Sequence, residues 1–125
     1  MQEYFYKNDW VTIYKEEAKI PWIKVFTTTP YKELTDCPKE LREKLYICME
    51  TIEQVLREYY NPEKINIAMF GNYVPHVHIH IMARFKEDEF FPESVWGKKQ
   101  RESTLALPLF DPIIEKIKEA LKPYM

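Results

Sequence analysis

The chain is poor in the features that mark secreted, membrane-bound and nucleic-acid-binding proteins. Of its 125 residues only two are cysteines, and the net charge is −2. So small a charge gives no general electrostatic attraction to nucleic acid or to an anionic membrane. No apolar stretch is long enough to cross a bilayer, and the first four residues do not begin a basic and then apolar leader. We therefore expect a cytoplasmic protein with reduced thiols, whose partners include neither nucleic acid nor a membrane.

The sequence does contain ample material for one small core. Hydrophobic residues make up 46% of the chain and aromatic residues 15%, and no repeat or low-complexity linker divides it. This composition predicts a single domain over residues 1–125.

Two helices are predicted from apolar periodicity. The longer runs from about Pro38 to Tyr60, with Asp36 as its N-cap and Asn61-Pro62 as its stop. Its apolar stripe is spaced by alternating fours and threes and comprises Leu41, Leu45, Cys48, Ile52, Val55 and Tyr59. The second helix is predicted from Asp111-Pro112 to about Lys122.

Four runs of β-branched and aromatic residues are predicted as strands. They are Val11 to Tyr14, Ile23 to Phe26, Ile65 to Met69 and His76 to Phe85. Gly71-Asn72 separates the last two runs as a tight hairpin turn would, so these strands should pair antiparallel. Strands and helices together predict an α+β fold.

The most informative feature is the position of the histidines. All three, His76, His78 and His80, fall at alternate positions of the last predicted strand, and the residues between them are apolar and β-branched. Side chains alternate across a strand, so the three imidazoles should share one face. Imidazole titrates near physiological pH, so such a row predicts a chemical site.

Two other interpretations of the row stay open. In the first, the histidines are hydrogen-bonded sheet residues without chemistry. In the second, they bind a metal. Same-face neighbours stand roughly 6.7 Å apart along a strand, whereas zinc ligands lie about 2.0 to 2.1 Å from the ion. Two of the histidines could chelate, but a full site would need ligands from elsewhere, and neither Cys37 nor Cys48 lies in a short-spaced pair or beside a histidine.

The run His-φ-His-φ-His-φ-φ, where φ is apolar, resembles the signature of the histidine triad (HIT) family of nucleotide hydrolases and transferases. The flanking Gly71-Asn72-Tyr73-Val74-Pro75 and Ala83-Arg84-Phe85 extend the resemblance. Pro21-Trp22 and Val95-Trp96-Gly97 are similar to a bacterial branch that resembles diadenosine polyphosphate hydrolases. The resemblance implies a HIT-like fold, an antiparallel sheet of about five strands with a long helix and a C-terminal helix.

The resemblance also implies roles for the histidines. The middle one, His78, would attack phosphorus, while its other ring nitrogen donates to a main-chain carbonyl. A neutral imidazole has an advantage over hydroxide at a phosphoanhydride, whose oxygens repel an incoming anion. His76 and His80 would flank the phosphate and stabilise the transition state by hydrogen bonds.

Other residues enter as substrate-binding candidates by the same resemblance. Asn72 occupies the position of a glutamine that contacts polyphosphate in relatives, with a plain turn residue as the alternative. Arg84 would neutralise a distal phosphate, unless it holds a loop or a neighbouring subunit. Glu17 would bind ribose hydroxyls, unless it is a surface carboxylate.

The sequence departs from the family pattern at two candidates. Trp22 stands where some relatives carry a fourth histidine, and Tyr73 stands where they carry serine or threonine. Tyr73 would then donate only through its backbone amide. Trp22 would pack against a base or fill the core.

Together these features predict a hydrolase that cleaves a nucleoside 5′-polyphosphate, in particular a dinucleoside polyphosphate, through a covalent nucleotidyl-His78 intermediate. The alternatives are a phosphoramidase or nucleotidyltransferase with the same intermediate, and a nucleotide-binding signalling module. No metal or cofactor is expected to bind tightly, although Mg²⁺ can accompany the substrate as a counter-ion. Relatives pair across an exposed sheet edge, so we also expect a homodimer.

Overall fold

The computed structural model describes residues 3–125, which form one antiparallel sheet and two helices. The strands are β1 (Tyr4–Lys7), β2 (Val11–Lys15), β3 (Trp22–Thr27), β4 (Lys64–Ala68) and β5 (His78–Arg84). The helices are α1 (Lys39–Tyr60) and α2 (Asp111–Leu121), and a short 3₁₀ helix covers Leu34–Asp36. The strand order is β1-β2-β3-β5-β4 with every pair antiparallel, so the predicted α+β architecture is confirmed.

Alternation along the strands divides the sheet into a buried face and a face that no helix covers, here called the helix-free face. Ile13, Ile23, Val25 and Ile81 are fully buried on the first face, where α1 packs on the sheet and α2 packs on α1. The helix-free face carries the side chains of β3 and β5 that lie between those buried residues. They are Trp22, Lys24 and Phe26 on β3, and His78 and His80 on β5.

The long helix follows its predicted stripe but begins differently. Leu41, Leu45, Cys48, Ile52 and Val55 are buried, as expected. The N-cap is Pro38, and the predicted cap Asp36 was wrong, since that residue ends the 3₁₀ helix and its carboxylate accepts from the Glu33 amide. At the other end Asn61 adopts a left-handed conformation, a common way for a helix to stop. Neither helix in the described range is long and apolar enough to span a membrane.

The chain between the last two strands differs from the prediction. β4 and β5 pair antiparallel as expected, with Ile67 opposite Ile81. However, β4 ends at Ala68 and β5 begins only at His78, so residues 69–77 form a loop instead of a tight turn. The strand β1 was not predicted, because its residues Tyr4, Phe5 and Tyr6 lie at a partly exposed sheet edge and show no alternation of apolar and polar side chains.

Candidate functional site

A cavity of about 400 Å³ opens on the helix-free face of the sheet beside the histidines of β5. Its floor comes from β3 and β5, which are hydrogen-bonded neighbours. One wall comes from the 69–77 loop, and another comes from Trp96 in the segment that follows β5. The lining residues are Lys24, Phe26, Phe70, Gly71, Asn72, Tyr73, Val74, His78, His80 and Trp96.

The main chain binds one ring nitrogen of His78. Its Nδ1 lies 2.7 Å from the main-chain oxygen of His76. Because a carbonyl oxygen can only accept, Nδ1 carries the hydrogen, and in the neutral ring Nε2 keeps its lone pair. The ring also stacks on Phe26, with centroids 4.4 Å apart and an interplanar angle of 11°. Both contacts hold the imidazole in one orientation at the cavity.

His80 is held as a hydrogen-bond donor. The indole nitrogen of Trp22 donates to its Nδ1 at 3.0 Å, so in the neutral ring the hydrogen lies on Nε2. Burial, together with the neighbouring His78 and Lys24, lowers the pKa of His80 to about 4 against the opposing effect of Glu16. The imidazole is therefore neutral at pH 7.

The structure does not bring the third histidine to this cavity. His76 lies just before β5, and its Nε2 donates to the main-chain oxygen of Thr27 at 2.6 Å. Its ring meets Phe26 edge-on at 5.0 Å and borders a neighbouring cavity. The rings of His78 and His80, by contrast, lie 4.9 Å apart. Of the two histidines expected to flank the phosphate, only His80 lines this cavity.

Asn72 and Tyr73 lie on the 69–77 loop and line the cavity. Both are exposed, and the side chain of Tyr73 is wholly so. Glu17 is not among the lining residues. It lies between β2 and β3 with its side chain 86% exposed, 3.9 Å from Lys15. Of these three candidates from the sequence, Asn72 and Tyr73 therefore lie at the cavity and Glu17 does not.

Trp22 is half-buried against the core and is not among the residues that line the cavity. Besides its hydrogen bond to His80, it meets the ring of Trp96 edge-on at 5.4 Å. Trp96 in turn contacts His80 at 5.1 Å and Phe70 at 5.1 Å. These rings form an aromatic wall beside His80.

Arg84 is buried and occupied by protein acceptors. Its Nε and Nη2 donate to the carboxylate of Asp88 at 2.9 and 3.1 Å. Nη1 donates to Asn66 Oδ1 at 2.8 Å, and Nη2 donates to the main-chain oxygen of Glu93 at 2.7 Å. The side chain holds a loop, which was the alternative to a phosphate contact, and we do not include Arg84 in the proposed binding site.

Asp88 is the centre of that loop. Besides Arg84, its carboxylate accepts from the backbone amides of Phe85, Phe90 and Phe91. Burial acts to raise the pKa of Asp88, but the hydrogen bonds from Arg84 and these amides outweigh it and hold the pKa below its usual value. The buried pair therefore fixes the segment that carries Trp96 to the cavity.

Three cavity residues escaped the sequence argument: Lys24, Phe26 and Phe70. The alternation of β3 contains a signal for Lys24 and Phe26, since their side chains project from the face of the strand opposite to that of the apolar Ile23 and Val25. Recognising it requires the information that β3 lies beside the histidine strand. Within residues 3–125 no group of three or more His, Cys, Asp or Glu side chains is arranged to hold a metal ion.

The chain matches a known family model and the fold of several solved structures. The HIT domain family model matches residues 2–87. A histidine triad protein from Bradyrhizobium japonicum is 24% identical, with a TM-score of 0.73 over 98% of this chain and 89% of that one. One from Marinobacter aquaeolei is 22% identical, with a TM-score of 0.71 over 98% and 87%.

A further structural neighbour is a zinc-bound histidine triad family protein from Mycobacterium smegmatis. It is 18% identical, with a TM-score of 0.57 over 96% of this chain and 84% of that one. At such identities the structural likeness concerns the fold alone. No curated protein sequence matches the chain.

Proposed function

Because the chain belongs to the HIT family, we propose that it is a nucleotide hydrolase that forms a covalent nucleotidyl-His78 intermediate. Membership of the family supports a nucleotide-binding hydrolase or transferase. The observation that carries the finer proposal is the 2.7 Å bond from His78 Nδ1 to a carbonyl, which in the neutral ring leaves the lone pair on Nε2 at the cavity. Its proposed substrate is a nucleoside 5′-polyphosphate, in particular a dinucleoside polyphosphate.

The proposed reaction has two displacements at one phosphorus. First, Nε2 of His78 attacks the α-phosphorus, the N–P bond forms, and the leaving oxygen departs with the electron pair of the broken P–O bond. Water then attacks the same phosphorus, the N–P electron pair returns to Nε2, and a proton passes to solvent. Throughout, the hydrogen stays on Nδ1 and is donated to the carbonyl oxygen of His76, so Nε2 is ready for the next cycle.

The residues beside His78 supply the other needs of this reaction. Nε2–H of His80 is a neutral donor for a phosphoryl oxygen, and such a bond strengthens as charge shifts in the transition state. Asn72 and the backbone amide of Tyr73 add donors at the mouth of the cavity. Phe70 and Trp96 offer apolar ring surface for a nucleobase.

A specific observation favours the phosphoramidase as second candidate. Lys24 is the lone Lys or Arg among the cavity-lining residues, and its Nζ lies 2.9 Å from the carboxylate of Glu16. Little positive charge is therefore available for a long polyphosphate. A phosphoramidate carries less negative charge and uses the same attack at phosphorus.

A turnover screen decides between these candidates. Diadenosine polyphosphates of several lengths and adenosine 5′-phosphoramidate are compared at matched concentration. Faster cleavage of the polyphosphates supports the primary proposal, and faster cleavage of the phosphoramidate replaces it with the second. Nucleotide affinity without turnover of either compound contradicts both and favours a binding module.

We also propose a homodimer. The sheet ends in β4 at one edge, and near it Ile67, Met69 and Phe70 are exposed by 43%, 41% and 61%. An unpaired strand edge with apolar side chains is suited to pairing with a second copy. Light scattering should give about twice the 15.2 kDa chain mass. A monomer at micromolar concentration would contradict this.

A further inference from the structure

In the hydrogen bond between Trp22 and His80, only Trp22 can be the donor. An indole has one N–H and no ring acceptor, so Trp22 can only donate. His80 Nδ1, at 3.0 Å, must therefore be the acceptor in this pair. A histidine at position 22 would lack this restriction, since imidazole both donates and accepts.

The surroundings keep the indole in place. Trp22 is half-buried, and Trp96 packs edge-on against it at 5.4 Å and against His80 at 5.1 Å. The ring of Trp22 itself meets His80 at 5.7 Å with an interplanar angle of 65°. Rotation of the indole away from Nδ1 would disturb these contacts.

The ionisable groups around His80 are few. Lys24 lies directly opposite it on β3, and His78 lies beside it on β5. Glu16, between β2 and β3, acts through its ion pair with Lys24. Among the described residues no carboxylate is hydrogen-bonded to either ring nitrogen of His80, so the indole is the group that selects between its tautomers.

We propose that Trp22 is a positioning residue that fixes His80 in the Nε2–H tautomer and makes it a constant hydrogen-bond donor to the substrate's phosphoryl group. The tautomer assignment follows from the geometry alone, whereas the role toward substrate rests on the proposed function. In this arrangement His80 takes no part in proton transfer, because Nδ1 is covered by a donor and Nε2 keeps its hydrogen throughout the cycle.

Nitrogen-15 NMR of the histidine rings tests the assignment without any substrate. In the wild type, His80 should show a protonated Nε2 and an unprotonated, hydrogen-bonded Nδ1, and it should titrate near its pKa of about 4. In Trp22→Phe, which removes the N–H, we expect a mixture of tautomers and a pKa closer to the ordinary histidine value. An unchanged tautomer in this variant would overturn the proposal.

Trp96→Phe is the matched control for this measurement. It makes the same ring replacement beside the same histidine, but Trp96 contacts His80 through ring packing. The tautomer of His80 should therefore stay as in the wild type. Equal loss of the tautomer in both variants would mean that packing, rather than the indole N–H, selects it, and would overturn the proposal.

Kinetics test the role toward substrate. Replacing the N–H of Trp22 by sulfur, through incorporation of β-(3-benzothienyl)alanine, preserves the shape and removes the donor. We expect kcat to fall about tenfold with little change in KM, and any decline of the rate on the acid side to move to higher pH as the pKa of His80 rises. A pH profile like that of the wild type would overturn the role. If the wild type turns over no nucleotide, the proposed function fails, and the NMR experiment still decides the tautomer assignment.

Discussion

The two halves of β5 carry polar side chains on the same face of the sheet and use them differently. His78 and His80, in the first half, border a cavity. Arg84, at the end of the second half, is 2% exposed beneath the loop that follows the strand. Strand alternation therefore determines the direction of a side chain, whereas the adjoining loops determine whether it can meet a ligand.

The histidines and Arg84 also differ in their hydrogen bonds. Each of the two cavity histidines has one ring nitrogen bound by the protein, and within residues 3–125 the other ring nitrogen has no hydrogen-bond partner. Arg84 makes four hydrogen bonds, all to protein acceptors. A reacting group must keep one atom uncommitted, and a structural group must not, since an unpaired buried polar atom costs stability.

The largest effect on turnover is expected from the histidines in the first half of β5. His78→Ala removes the attacking nitrogen, so turnover should fall by several orders of magnitude while nucleotide affinity stays within about a factor of ten, since the other contacts remain. Steady-state kinetics and calorimetric binding measure the two quantities. Similar turnover in the variant and the wild type would refute the covalent mechanism.

In the second half of β5, where Arg84 lies, we expect a loss of stability. Asp88→Ala leaves the buried guanidinium of Arg84 without its carboxylate, which should reduce the free energy of unfolding by about 3 to 5 kcal/mol. The matched control is Glu119→Ala, which breaks a pair whose two side chains are 70% and 74% exposed. That change should stay within about 0.5 kcal/mol. Urea unfolding measures both, and equal effects would contradict the structural role of the buried pair.

A smaller difference is expected within the histidine row. His80→Ala removes a transition-state donor, a loss that typically costs about 2.7 to 4 kcal/mol in catalysis. His76→Ala removes the ring that binds Thr27 but keeps the backbone carbonyl that orients His78, so its effect on kcat should be about tenfold or less. Relative kcat values of the two variants check this order, and a greater loss for His76→Ala would reverse it.

The sequence predicted those parts of the molecule that depend on local periodicity. The stripe of α1 and the alternation of β5 are visible in the chain, and so is the stop at Asn61. The edge strand β1 escaped prediction because it buries little surface. The 69–77 loop was mistaken for a hairpin turn because Gly71-Asn72 is a turn signal in either structure.

Contacts between distant segments were harder to predict. The roles of Arg84 and Trp22 depend on Asp88 and His80, which meet them only when a loop folds back and when β3 pairs with β5. The sequence could offer a loop anchor for Arg84 only as one of two alternatives. The bond from Trp22 to His80 joins residues 58 positions apart, and it was not anticipated.

Removal of metal is expected to change neither stability nor nucleotide affinity. Hydrogen bonds from Trp22 to His80 and from His78 to a carbonyl hold the two cavity histidines without an ion. We therefore expect protein stripped with a strong chelator to keep its melting temperature and its affinity for a non-hydrolysed nucleotide analogue. Added Mg²⁺ can raise the rate by neutralising substrate phosphates, so stimulation alone decides nothing. A zinc-bound protein among the structural neighbours makes the measurement necessary. About one zinc per chain that survives dialysis, with a lower melting temperature after chelation, would refute the nucleophile assignment. A nucleotide label on His78 in metal-free protein, quenched under alkaline conditions, would support it.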